Sequence, residues 1–141
     1  MSSKVKLFLN GDDTRRVLDS KQICYNKTVI ITKTTPYTKE EIEKLQEVFD
    51  TYIKTVIDIE KKICSAGCDR HYESEDVLLK DGSNQAVIWG GGIDLETKDI
   101  DFNSFINIRP NDKNSSNEIQ DQEIRKKYEA LTKYFFKEVY E

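Results

Sequence analysis

Long apolar runs are missing from this chain of 141 residues; its apolar stretches stop at three or four residues, as in Val29-Ile30-Ile31 and Ala86-Val87-Ile88-Trp89. A bilayer crossing needs about 20 such residues, so no membrane contact of that kind is expected. The opening Met1–Asn10 stretch has lysines but only a fragment of apolar sequence, which does not read as a cleaved secretion signal, and the chain is expected in the cytoplasm. Cysteine is scarce, with three residues that in such a compartment stay thiols. Clustered cations are also lacking. Residues 1–33 carry a net charge of +4 and residues 34–141 a net of −8, yet within the basic head the positive charges stand singly apart from Arg15-Arg16. A phosphate-tracking surface needs them together, so nucleic acid is a disfavoured partner. No nucleophile elbow, dinucleotide fingerprint or metalloprotease helix occurs, and Gly90-Gly91-Gly92 lacks the Lys-Ser/Thr of a phosphate loop. No cofactor is implied.

What is present is enough apolar sequence for one core. Hydrophobic residues make up 37% of the chain and are spread over nearly its whole length, which argues against wholesale disorder. Val5, Leu7 and Leu9 suggest a strand before the Asn10–Asp13 turn, residues 14–28 show little pattern, and Thr28–Thr32 reads as a second strand. Thr38 and Glu41 have the spacing of a capping box, and Tyr37 and Ile42 that of a hydrophobic staple. They predict a helix over about 38–50 with Ile42, Leu45, Phe49 and Tyr52 on its buried face. Ile53, Thr55, Ile57 and Ile59 alternate with Lys54, Val56, Asp58 and Glu60, as in a strand with one wetter face. Lys61-Lys62 then turns the chain into an antiparallel return over Ile63–Ala66.

His71–Lys80 is readable as a helix capped by Ser74 and stopped by Gly82, or nearly as well as a strand. Ala86–Ile93 reads as a strand that its three glycines break, bulge or bring close to another backbone. Ile100–Arg109 alternates: Ile100, Phe102, Ser104, Ile106 and Ile108 share one face, and Asp101, Asn103, Phe105, Asn107 and Arg109 the wetter one. Pro110 ends that strand, and Asp121 caps a last helix over 121–138 with Ile124, Tyr128, Leu131, Phe135 and Val139 in a stripe. The expectation is an α+β fold: a mostly antiparallel sheet of four to six strands with both main helices, about 38–50 and 121–138, on one face. Residues 28–141 form the domain, with 1–27 as an N-terminal extension able to add an edge strand.

Several of these segments together resemble a family of small bacterial and archaeal proteins known only as a domain of unknown function. They are Val56–Glu60, His71, Val77-Leu78-Leu79-Lys80-Asp81-Gly82-Ser83-Asn84-Gln85, Trp89-Gly90, Ser104–Pro110, Asn114-Ser115 and Asp121–Arg125. The likeness covers about residues 29–137 and implies a cytoplasmic prokaryotic setting, with no activity attached. The chain departs from that pattern at Lys113–Asn117, which lacks two basic residues, and at Ala66-Gly67-Cys68, where a glycine pair is expected.

Two constellations could carry chemistry. Asn107 and Arg109 on one strand face, followed by Asn114 and Ser115 in a loop, could gather donors around a carboxylate, a phosphate or a peptide backbone. The plainer alternative, which the residue types favour, has Arg109 paired with Asp58, Glu60 or Asp101 and Asn107 satisfying backbone groups. His71, the lone histidine, follows Cys64 and Cys68. The spacing C-x3-C-x2-H is unlike the paired knuckles of structural zinc, so no metal is assigned. A Cys/His nucleophile pair is the less favoured use of the same residues. The resulting expectation is a non-catalytic binding or regulatory module that self-associates as a homodimer or meets a protein partner. The alternative is a small enzyme or an anion- or small-ligand-binding protein using Asn107, Arg109, Asn114, Ser115 and His71.

Overall fold

The computed structural model describes residues 20–25, 28–46 and 50–141. The strand expected at Val5–Leu9 lies outside them. Among the described residues six strands form one antiparallel sheet: β1 (Ser20–Tyr25), β2 (Thr28–Lys33), β3 (Tyr52–Asp58), β4 (Ile63–Ala66), β5 (Ile88–Asp94) and β6 (Ile100–Asp101), in the order β1-β2-β4-β3-β5-β6. The helices among the described residues are α1 (Lys39–Leu45), α2 (His71–Lys80), α3 (Gln122–Phe135) and the short α4 (Lys137–Tyr140). The expected α+β class and antiparallel sheet are therefore found.

Neighbouring residues along each strand serve opposite layers. Ile31, Ile53, Ile57, Cys64, Ala66, Trp89 and Ile93 pack with Tyr37, Ile42 and Leu45 of the α1 region and with Tyr128, Phe135 and Phe136. Both helices read from the sequence thus lie on one face. Ile30, Val56 and Ile88 point the other way, toward Cys68 and toward Val77 and Leu78 of α2. The face of β3 expected to be wet is covered by α2, which buries Val56 and Asp58. Asp58 is satisfied there by the amides of Glu60 and Lys61 and by the hydroxyl of Ser83.

The local signals at the starts of α1 and α3 are sound. Thr38 accepts from the Glu41 amide while the Glu41 carboxylate accepts from the Thr38 amide, and Asp121 accepts from Glu123 and Ile124. The ends are not where expected. α1 stops at Leu45 rather than near residue 50, and Tyr52 belongs to β3, where it pairs with Asp94 and its hydroxyl donates to Asp101. Phe49 lies outside the described residues. α3 ends at Phe135; Phe136 leaves helical geometry, and its ring stacks on Tyr37 with centroids 4.8 Å apart. α2 begins at His71, three residues before the expected Ser74 cap, because the Glu73 carboxylate takes the amides of Asp69 and Arg70. Gly82, with φ of +103°, follows its end.

One strand expectation is narrowed and one corrected. Gly90-Gly91-Gly92 makes no bulge: β5 keeps unbroken register with β3 from Ile88 to Asp94. Of the three expected outcomes the one found is close approach to another backbone. A Cβ on Gly91 would stand 2.2 Å from the Asp101 carbonyl oxygen, and one on Gly90 2.8 Å from the Ser104 Cβ. Ile100–Arg109 is not a continuous strand either, since pairing with β5 ends at Asp101. Ser104 accepts from the Ile106 amide and a 3₁₀ turn follows over Phe105–Asn107, a local side-chain bond displacing the ladder. Arg109 and Asn114 are joined by an isolated bridge around a second 3₁₀ turn at Pro110–Asp112.

Candidate functional site

Three of the hydrophilic residues flagged in the sequence, Asn107, Arg109 and Asn114, sit inside the protein. Asn107 is wholly buried: its Oδ1 accepts from the Gly90 amide, and Nδ2 reaches the carbonyls of Gly90, Phe102 and Asn117. Its amide thus occupies the open edge of β5 where a strand partner would stand. Arg109 completes the same edge, with donations to the carbonyls of Gln85, Ile88 and Ile106 and its guanidinium 4.0 Å above the Trp89 ring. It does not pair with Asp58, Glu60 or Asp101. Asn114 donates to the carbonyls of Asn107, Ser116 and Glu118 and accepts from the Gln120 amide. Ser115 is exposed, with its amide bonded to Gln120. Asn107, Arg109 and Asn114 therefore come together as the frame of the 102–120 segment, and His71 stands apart from them on α2.

That frame has a visible product. It holds the 3₁₀ turn so that Phe105 projects with 84% of its surface exposed, beside a cleft of about 560 Å³. The opposite wall is the entry to α2: Asp69, Arg70, His71 and Tyr72, with Lys54 of β3 on the same face of the sheet. Tyr72 is 53% exposed. Asn103, Ser104, Ile106 and Asn117 complete the lining.

The glycine run shapes the region behind this cleft. On the α2 side, Gly90 makes room for Ser104 and Ile106, and Gly92 for the Tyr52 hydroxyl. His71 Nε2 lies 2.7 Å from the Gly91 carbonyl oxygen. A carbonyl only accepts, so Nε2 carries the proton and Nδ1 keeps a lone pair. Burial holds the imidazole below its ordinary pKa of 6.5, against the opposing pull of the Gly91 bond; Lys54 adds to the lowering and Asp101 opposes it. His71 is therefore a neutral acceptor of fixed tautomer at pH 7. Lys54 donates to the Asp69 carbonyl, and Glu73, buried, spends its carboxylate on the Asp69 and Arg70 amides.

Cys64 and Cys68 serve opposite layers of the sheet, and no disulfide forms. Among the described residues no group of three His, Cys, Asp or Glu side chains is placed to hold a metal ion. No helix among them is long and apolar enough to cross a membrane.

A family model described as "Protein of unknown function (DUF5674)" matches residues 29–135. The chain belongs to that family. The DUF5674 match runs from the second residue of β2 to the last residue of α3, and so contains both walls of the cleft, while β1 and α4 fall outside it. Searches of curated proteins and of solved structures found no match.

Sequence reasoning missed Lys54, Arg70, Tyr72 and Phe105 as a group. One signal was legible: Phe105 is the lone apolar residue on the face shared by Asp101, Asn103, Asn107 and Arg109. An aromatic ring among polar neighbours on one side of an alternating stretch marks a side chain with no core to enter.

Proposed function

We propose that this protein is a non-catalytic recognition module that binds through the cleft between the start of α2 and the Phe105 turn. One observation carries the reading, namely the display of Phe105. Leaving a phenylalanine ring in water forgoes roughly 2 kcal/mol of burial, and a mobile loop would fold such a ring back onto the surface. Here the turn is pinned by Asn107, Arg109 and Asn114, each of which donates to backbone carbonyls. Rigid presentation of an aromatic ring at the mouth of a cleft is the arrangement by which binding sites lower the ordering cost of association. His71, fixed by the Gly91 carbonyl, supplies one oriented acceptor in the wall.

The test is amide chemical-shift mapping on isotope-labelled protein with a panel of small ring compounds. Binders are expected to move the amides of residues 69–72, 103–106 and 117, and Phe105→Ala is expected to abolish those shifts. Binders that map elsewhere, or shifts that survive the substitution, would overturn the reading. Homodimerisation is a second reading, favoured by the exposure of Ile108 on the same segment as Phe105. Light scattering would then give twice the mass of the chain for the parent protein and the single mass for the Phe105→Ala variant.

A further inference from the structure

We infer that the cleft takes a monocarboxylate carried on an aromatic or similarly large apolar group. The inference rests on the cleft being the recognition site and adds the chemistry of its occupant. Charge sets the head group. The lining side chains comprise two cations, Lys54 and Arg70, and one carboxylate, Asp69, for a net of one positive charge. Two further carboxylates lie behind the wall and already hold protein donors: Glu73 has the Asp69 and Arg70 amides, and Asp101 the Tyr52 hydroxyl and the Asn103 amide. Counted with them the region holds two cations and three carboxylates, so an anion is held by a direct pair with Arg70 rather than by the net field, and a doubly charged phosphate meets more repulsion from these carboxylates than a singly charged head group does.

The helix start does not change this. Glu73 occupies amides that would otherwise serve an anion, so recognition falls to side chains rather than to the end of α2. Arg70 is suited to that role, being exposed and making no ion pair among the described residues. Its planar fork matches a carboxylate in two bonds. The apolar half follows from Tyr72 and Phe105, aromatic rings on opposite walls, which can hold a flat apolar group. His71, neutral with Nδ1 unprotonated, adds an acceptor and no second positive charge.

The shared chemistry has two sources, a free aromatic acid or the C-terminal carboxylate of a peptide ending in an aromatic residue, and the experiment separates them. The full chain, isotope-labelled, is titrated with 3-phenylpropionate, 3-phenylpropanol, 3-phenylpropylamine and inorganic phosphate. A short peptide ending in Phe is added as the free acid and as the amide. Because His71 is the only histidine, its imidazole resonances report on the site without overlap. The acid is expected to bind about three- to five-fold tighter than the alcohol, the effect of one half-exposed charge pair, to exclude the amine, and to raise the His71 pKa as an anion arrives. Arg70→Gln should erase the preference for acid over alcohol and leave alcohol binding intact, which a merely structural role would not do. Tighter binding of the free-acid peptide than of phenylpropionate assigns the peptide source, and equal or weaker binding the free acid. Phosphate binding as tight as the acid, or alcohol and acid alike in affinity at the cleft, overturns the ligand class while leaving the cleft as a site. If no probe shifts residues 69–72 or 103–106, the recognition reading fails with it.

Discussion

Asn107 shows how a single polar side chain decides between structure and recognition. Its amide pairs with both backbone groups of Gly90 at the uncovered edge of β5 and with the carbonyls of Phe102 and Asn117. Replacing it with alanine leaves the buried Gly90 amide and carbonyl without partners, and an orphaned buried backbone group costs about 1–3 kcal/mol. Asn107→Ala is therefore expected to lower unfolding free energy by about 2–4 kcal/mol. Phe105→Ala, two residues away and exposed, should change it by less than about 0.5 kcal/mol. Urea denaturation of the two variants checks both numbers, and a neutral Asn107→Ala would show that the edge is held by something else. The same residue marks the limit of what its position in the sequence discloses. Asn107 and Arg109 were readable as polar residues of special placement, but the alternation put them on a wet face, whereas they are buried; Phe105 of that face is exposed as the pattern has it, and Ile108 of the other face is exposed against it. Period-2 patterning assumes that polar side chains seek water. Here they seek an unpaired strand edge instead.

At the scale of elements, the three glycines of β5 do with absence what Asn107 does with hydrogen bonds. A Cβ at Gly91 would meet the Asp101 carbonyl at 2.2 Å and the Tyr128 hydroxyl at 2.8 Å. The first of these is backbone of β6, and no rotamer change relieves it. Gly91→Ala is thus expected to push β6 from β5 and disturb the bonds of Tyr128 with Thr55, at a cost of about 2–4 kcal/mol in unfolding free energy. Hydrogen exchange should show lost protection at Asp94, whose amide donates to the Asp99 carbonyl just before β6; retained protection would contradict the close approach. The starts of α1 and α3 were legible because capping is local: Thr38 with Glu41, and Asp121 with the amides after it, are contacts within one turn. Element ends were not, because what stopped them is distant. Tyr52 is held in β3 by Asp101, and Phe136 is turned inward by Tyr37, partners separated by long stretches of chain. β1 was missed for a similar reason, since Ser20–Tyr25 has little alternation and owes its place to pairing with β2.

For the whole molecule, the decisive fact is that one sheet supplies both layers from adjacent residues. Ile30 and Ile31, Val56 and Ile57, Ile88 and Trp89 each divide between the α2 layer and the α1–α3 layer. Shedding either layer would expose the strand residues beneath it and loosen the strands that the other layer needs, so the two should unfold together. The cysteines make this measurable. Cys24 is exposed, while burial raises the Cys64 thiol to about 12 and the Cys68 thiol to about 11, which keeps both unreactive near neutral pH. Cys64 lies in the α1–α3 layer and Cys68 in the α2 layer. In a Cys24→Ser variant, alkylation across a urea series is expected to label Cys64 and Cys68 with one shared midpoint, coincident with the loss of circular dichroism. Earlier labelling of Cys68 alone would mean that α2 detaches while the rest of the sheet stays folded. Because α2 forms one wall of the cleft, such detachment would also dismantle the site before the protein unfolds, and ligand protection of Cys68 would then exceed that of Cys64.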